Sequence, residues 1–476
     1  MQITPAFLGS LYYASEWAVR LVMLVYVPQR RTAAATRTWL LLIFLLPWPG
    51  VVVYALFGRI RVPQRRRETQ ARSSQVVRRG QLERLAARSG LGAVPPAYAG
   101  AARLAFELGD FVPLGGNRVE LFTDYSGWIT RLIADIDAAR SHAHLLFYIF
   151  EDDPTGRSVA DALTRAAGRG VTCRVLIDAV GGERGLRHLG PRMRAAGVDV
   201  GAMLPVGLFR RSAGRFDLRN HRKMVIIDGR LGYTGSQNVV DPSFLPDHPN
   251  EELMAGVMGP VVAQLQAVFM IDWFLETNQR LDFELLAPPL AGAGGTAAQV
   301  LPSGPGYPLE NTRDLFITLL YSARSRVVIT TPYFVPDEPF LQAMRTTAMR
   351  GVAVHLVVSK HANQPFTQFA QRAYYEDLLA AGVNIHLYRP RFLHAKHLSI
   401  DDQVAVFGST NIDIRSFALN AELALVVFDS AVVGDLARIQ ERYFANSDLL
   451  EPEEWNRRSL ASKVAQNVAR LADSFL

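Results

Sequence analysis

Two stretches of this chain follow one pattern. His221-Arg222-Lys223-Met224-Val225-Ile226-Ile227-Asp228 and His394-Ala395-Lys396-His397-Leu398-Ser399-Ile400-Asp401 both read H-x-K-x4-D. Each is followed by Gly-Ser-x-Asn, as Gly235-Ser236-Gln237-Asn238 and Gly408-Ser409-Thr410-Asn411. Every matched position is offset by the same 173 residues, from His221 to His394 as from Asn238 to Asn411. Spacing held this strictly implies two copies of one structural unit, with a two-sided site where the copies meet.

The residue types define the chemistry. Residues i and i+2 of a strand share a face, so the spacing predicts His221 beside Lys223 and His394 beside Lys396. Imidazole and ammonium together can attack and neutralise a phosphodiester. Ser236, Asn238, Ser409 and Asn411 are expected to donate hydrogen bonds to its non-bridging oxygens. Asp228 and Asp401 complete the motif, but their position puts them on the opposite face, in a structural role. Glu252 and Glu422 are suited to hold each imidazole's Nδ1 proton, as the third member of a triad does. No metal is expected, because an ammonium beside each imidazole repels a cation. No cofactor is expected either.

The repeat extends beyond the motifs. Helices are predicted at 128–140, 157–169, 312–324 and 338–350, and strands at 143–150, 171–178, 326–334 and 352–359. Motif strands at 223–228 and 396–401 then turn at Asp228-Gly229 and Asp401-Asp402 into partners at 231–235 and 404–408. Asn250-Glu251-Glu252-Leu253 resembles Asn420-Ala421-Glu422-Leu423, each opening a strand before a long helix (261–275 and 432–445). The fold class is therefore α/β, with two α/β sandwich domains (108–290 and 291–476) packed face to face by pseudo-twofold symmetry. Pro288, Pro289 and the small residues of 291–298 mark the boundary.

Charge and hydropathy locate the molecule. Residues 59–90 hold ten Arg against two Glu, and Arg30, Arg31 and Arg37 add three cations. Taking those eight and three from the chain's +7 leaves residues 91–476 at −4, which disfavours nucleic acid as partner. Cys173 is the single cysteine, so neither an internal disulfide nor a thiolate zinc site is available. Apolar runs at 7–27 and 39–57 have the length of membrane spans, so residues 1–58 are expected to form a transmembrane helical hairpin. Glu16 and Arg20 can neutralise each other at i,i+4, and Pro47 and Pro49 are expected to break the second run. Residues 59–107 form a basic juxtamembrane linker against anionic headgroups. The Arg asymmetry places the body on the cytoplasmic side of the cell membrane.

The duplicated motif, the opening Asn220-His221-Arg222-Lys223, Pro302-Ser303-Gly304-Pro305, Thr331-Pro332-Tyr333-Phe334 and the 408–417 stretch resemble the phospholipase D superfamily. The match is best to bacterial cardiolipin synthases and covers nearly the whole chain. That resemblance implies a metal-free transfer of a phosphatidyl group from one phosphatidylglycerol to another, with His221 as nucleophile and His394 as acid/base. Gly235-Ser236-Gln237-Asn238-Val239 stands where many members have G-G-x-N-I, which bears on the acceptor. Water or serine as acceptor, in a phospholipase D or phosphatidylserine-synthase-like enzyme, uses the same residues. A superfamily nuclease and a non-enzymatic membrane scaffold are further alternatives.

Two segments suggest further membrane contact. Residues 207–216 mix Arg with apolar side chains and are suited to line a lipid entrance. Leu460, Val464, Val468, Leu471 and Phe475 make a helical stripe opposite Arg457, Lys463 and Arg470, suited either to a membrane interface or to packing on the body.

Overall fold

The computed structural model describes residues 5–30, 33–58, 64–80, 90–206, 217–244, 249–282 and 293–470. Short runs of β-branched and aliphatic residues build strands β1 (Leu114–Phe122), β2 (His142–Phe147), β3 (Thr172–Asp178), β4 (Asp199–Met203), β5 (Met224–Ile227), β6 (Leu231–Gly235), β7 (Asn250–Glu251) and β8 (Met254–Met258). The second half supplies β9 (Thr296–Ser303), β10 (Arg326–Thr330), β11 (Phe334–Val335), β12 (Ala353–Ser359), β13 (Asn384–Tyr388) and β14 (Phe392–Leu393). It continues with β15 (His397–Ile400), β16 (Val404–Gly408), β17 (Ile412–Asp413), β18 (Glu422–Phe428) and β19 (Ser447–Leu449).

Outward from the centre, one half runs β1-β8-β6-β5-β2-β3-β4 and the other β9-β18-β16-β15-β10-β12-β13-β19. The orders correspond strand for strand, with β19 added at one edge. In each half three strands run parallel, and the motif hairpin (β5–β6, β15–β16) pairs antiparallel beside them. The repeats are not two separate sheets, because β1 and β9 pair antiparallel and join them into one of fifteen strands. That sheet folds back so that β6 lies against β16 and β18. Thr296, Ala297 and Ala298, assigned from sequence to the boundary, are therefore central strand residues. Residues 283–292, with Pro288 and Pro289, lie outside the described residues.

Capping explains several helix starts. Asp153 accepts a hydrogen bond from the Gly156 amide at 2.8 Å with Pro154 in the first turn, and Asp337 accepts from Phe340 at 3.2 Å. The helix Val262–Thr277 is apolar nearly all round because it is buried between layers. It belongs to a core shared by both repeats, which includes Leu146, Met224 and Val257 from one and Val328, Phe407 and Leu425 from the other. Burying each such side chain contributes about 1.5–3 kcal/mol, so the halves stabilise one another.

The amino-terminal segment departs from the expected hairpin. Helices span Pro5–Tyr26, Ala33–Leu45 and Pro47–Phe57, so the second apolar run is broken at Leu46, where Pro47 has no amide hydrogen to continue the helix. Among the described residues no helix is long and apolar enough to cross a membrane. Arg20 does pair with Glu16, at 3.4 Å. The helices pack on one another through Met23, Val27, Trp39, Ile43 and Tyr54, while Leu11, Leu21, Val25, Leu45 and Val52 stay exposed.

The basic linker is only partly free to meet headgroups. Its helix Gln64–Gly80 packs on Val262–Thr277, Arg66 contacts Glu276 at 2.5 Å, and Arg78 pairs with Glu107. Arg67, Arg72 and Arg79 are exposed. The 207–216 segment, Leu471 and Phe475 lie outside the described residues. The helix Leu460–Arg470 packs on Pro365–Ala373 through Gln466 and Ala469, not through the apolar stripe, and Leu460, Val464 and Val468 face outward.

Candidate active site

The motif histidines do not lie within the ladder expected to carry them. β5 begins at Met224 and β15 at His397, so each His-x-Lys is an extended segment just before its strand. Each segment pairs instead with the opposite repeat. The His221 amide donates to Ala421 O at 2.8 Å, and the Ala421 amide donates back to Arg219 O. Likewise β14 pairs with β7, and the amides of His394 and Ala395 donate to Glu251 O at 2.8 and 2.9 Å. Glu252 and Glu422 directly follow those partner positions.

The imidazole–carboxylate pairs are consequently crossed. His221 Nδ1 donates to Glu422 at 2.9 Å, and His394 Nδ1 donates to Glu252 at 2.7 Å. Both carboxylates are buried. Each Nδ1 bond fixes the tautomer and leaves Nε2 to act. Lys223 and Lys396 are buried beneath the histidines, and each Nζ donates to the carbonyl of its own motif His at 2.7 Å.

The serines differ from expectation. Ser236 Oγ accepts from the Leu253 amide at 2.9 Å and donates to Leu253 O. Ser409 Oγ accepts from the Leu423 amide at 3.0 Å and donates to Glu422. Both are fully buried, and their hydroxyls bond the segments that carry the two carboxylates. The glycine before each is needed because the next strand passes so close. A Cβ at Gly235 would lie 2.3 Å from Leu253 O, and one at Gly408 2.2 Å from Leu423 O. Asn238 and Asn411 do reach the cavity wall; Ile149 N donates to Asn238 Oδ1, which turns its NH2 end toward the cavity.

Asp228 and Asp401 stand at the far end of their strands, with φ of 52° and 51°. Asp228 accepts the backbone amides of Arg140, Ser141 and His142 at 2.7–3.0 Å. Asp401 accepts those of Arg324, Ser325 and Arg326 at 2.8–3.1 Å. Both tie the motif turn to the loop before the neighbouring strand, away from the histidines. Each carboxylate is taken up by these backbone amides.

Both imidazoles open onto one cavity of about 290 Å³ between the repeats. Its wall includes residues that sequence reasoning passed over: Tyr148, Arg219, Tyr333, Asn363 and Arg415. The Tyr148 ring lies edge-on to His221 at 5.3 Å. Arg219 bonds Asp178 at 3.2 Å, and Asp178 also accepts the Asn220 amide, which anchors the approach to His221. Adjacency to Asn220-His221 and membership of the 408–417 stretch were the available signals for Arg219 and Arg415. A second omission is Arg222, the x of the first motif. It donates to Glu422 O and Ser303 O, both at 3.0 Å, and pairs with Asp272. Its counterpart Ala395 has no such grip.

Burial lowers both imidazoles from their usual range. His221 falls furthest, because Lys223, Lys396 and His394 add to the burial, whereas in His394 the Glu252 carboxylate opposes it. Burial pushes Glu422 up to about 7 against the pull of Lys223. Burial also acts on Glu252, but His394 and Lys396 outweigh it and hold the carboxyl down to about 2. Burial brings Lys223 down to about 7 and Lys396 to about 8.

Residues 132–273 and 316–445 match the family model described as cardiolipin synthase, PLD-like domain, and residues 17–59 match the phospholipase D-nuclease N-terminal model. The chain is 36% identical over 458 residues to cardiolipin synthase A of Pectobacterium carotovorum subsp. carotovorum, covering 94% of each chain. It is 35% identical over 465 residues to cardiolipin synthase A of Yersinia pseudotuberculosis, again covering 94% of each. The solved phosphatidylserine synthase of Haemophilus influenzae shares the fold, with a TM-score of 0.60 at 15% identity over 79% of this chain and 98% of that one. The chain belongs to the cardiolipin synthases of the phospholipase D superfamily, a family of phosphatidyltransferases of phospholipid biosynthesis.

Proposed function

We propose that this protein condenses two phosphatidylglycerol molecules into cardiolipin and glycerol through a phosphohistidine on His221. The observation that carries this reading is that both imidazoles, each held at Nδ1 by a buried carboxylate of the opposite repeat, open onto one cavity. The order, with His221 as nucleophile and His394 as acid/base, follows the resemblance to the superfamily.

In the first step His221 Nε2 attacks phosphorus, and the departing glycerol oxygen takes a proton from His394. In the second, His394 takes the proton from a hydroxyl of the incoming phosphatidylglycerol, whose oxygen attacks phosphorus and releases His221. One phosphodiester replaces another, so the exchange needs no nucleotide. Lys223 and Lys396 neutralise the phosphoryl charge from beneath, while Asn238 and Asn411 donate to its oxygens. Glu422 and Glu252 hold the imidazoles in line.

The apolar helices at 5–57 attach the enzyme to the membrane that holds its substrate. None of the three is long and apolar enough to cross by itself, but they pack together and present Leu11, Leu21, Val25, Leu45 and Val52 outward, which suits them to enter the hydrocarbon as one unit with the catalytic body on the cytoplasmic side. Cysteine accessibility in intact and permeabilised cells tests that topology.

The reaction is tested by giving the purified full chain phosphatidylglycerol labelled in its headgroup. Equal yields of cardiolipin and free glycerol are expected. Phosphatidate without cardiolipin would replace the acceptor alcohol with water.

A further inference from the structure

We propose that the paired helices Pro365–Ala373 and Leu460–Arg470 form a second membrane contact, which lays the mouth of the cavity on the lipid surface. The inference rests on the lipid substrate proposed above, but its decisive measurement is independent of turnover.

The carboxyl-terminal helix is packed with its faces reversed from the usual arrangement. Gln466 and Ala469 are buried against the body, whereas Leu460, Val464 and Val468 are 77%, 53% and 60% exposed. At positions i, i+4 and i+8 they form one outward apolar stripe. An amphipathic helix ordinarily buries such a stripe, so this one is placed to enter another apolar phase.

The neighbouring helix links that stripe to the site. Gln364 and Thr367 line the cavity beside the two histidines, while Phe366 and Phe369 are 50% and 43% exposed. Phe244, on the cavity wall, is also half exposed. The apolar surface is therefore continuous with the entrance through which a phospholipid must pass.

Charge favours a bilayer over a protein partner as occupant. Lys463 and Arg470 flank the stripe, and Arg457 is exposed just before it. Glu376 and Asp377 draw Lys463 and Arg470 toward the body side of the helix, at 3.9 and 3.6 Å. The outward face itself carries no acidic residue between Leu460 and Arg470. An apolar stripe free of acidic residues, with Arg457 exposed at its start, fits an anionic leaflet, where lipid tails take the apolar side chains and headgroups meet Arg457.

The test places an environment-sensitive fluorophore on Val464→Cys in the full chain reconstituted into phosphatidylglycerol–phosphatidylcholine vesicles, with Arg438→Cys as a solvent-exposed control. Quenching of the Val464 probe by spin-labelled acyl chains, absent at Arg438, is the expected result. No quenching overturns the proposal, as does a probe shielded equally in vesicle-free samples in which two copies associate. A second arm uses the triple variant Leu460→Asp, Val464→Asp, Val468→Asp. Its apparent KM for vesicle phosphatidylglycerol should rise by roughly tenfold or more. Turnover of a short-chain, monomerically dispersed phosphatidylglycerol should be unchanged, and equal loss on both substrates overturns the docking role. If neither substrate is turned over by the parent enzyme, the proposed reaction has failed while the quenching result still decides the contact.

Discussion

Glu422 of the second repeat accepts the Nδ1 hydrogen of His221 of the first, at 2.9 Å, and Glu252 returns the arrangement for His394 at 2.7 Å. Neither motif histidine takes its carboxylate from its own repeat. The site therefore exists only when the two halves are docked.

Glu422→Gln keeps an acceptor at Nδ1 but removes its charge. The expected loss in kcat is about 10⁴-fold, the scale seen when the anionic partner of a catalytic His is neutralised. Binding of phosphatidylglycerol should be little changed. Steady-state kinetics of the folded variant check this, and a loss confined to KM would contradict an orienting role.

The pH profile follows from the buried charges. As pH falls through about 7, Glu422 takes a proton and His221 loses its anionic partner. As pH rises through about 7 and then about 8, Lys223 and Lys396 in turn lose their charges and the phosphate its counterions. kcat/KM should therefore follow a narrow bell whose alkaline side already begins to fall near 7. A bound phosphodiester anion favours the ammonium form, so the alkaline limb of kcat should lie above that of kcat/KM. Glu422→Gln should remove the acid limb near 7.

Ser409 and Asn411 separate support from substrate contact. Ser409→Ala removes a hydrogen bond to Glu422 and should lower kcat roughly tenfold with KM nearly constant. Asn411→Ala, on the cavity wall, should lower kcat/KM by about 10²-fold through loss of an oxyanion donor. The same pattern in both variants would mean that the serine also reaches the phosphate.

Asp228→Ala leaves three backbone amides without their acceptor. A destabilisation of about 2–3 kcal/mol is expected, with the kcat of the folded fraction within about threefold of the parent. Denaturant titration alongside active-site counting distinguishes this from a chemical role.

Arg222→Met strands Asp272 in the core and releases the Glu422 carbonyl. Stability should fall by about 3–5 kcal/mol. Adding Asp272→Leu should restore most of the stability, since no buried charge is then unpaired. The deficit in kcat should persist, because the strand carrying Glu422 has lost its tie. Thermal unfolding and kinetics of both variants check the separation.

The primary structure by itself determined that there are two repeats, which residues carry the chemistry, and the alternation of helix and strand. Those are local properties: a 173-residue offset, a two-residue strand period and apolar spacing are all present before the chain folds. It also anticipated the break at Pro47, whose missing amide hydrogen is a local fact. Only the tertiary structure decided which carboxylate serves which imidazole, that the serines face the core, and that the sheets join through β1 and β9. It also directed Arg66 and Arg78 to protein acceptors and turned the Leu460–Val464–Val468 stripe outward. Each of these depends on backbone pairing between residues far apart in the chain, as between His221 and Ala421, and no local pattern encodes such a partner. The duplicated motif supplies two identical sets of groups. Docking of the repeats crosses them, so that each histidine takes its carboxylate from the other half.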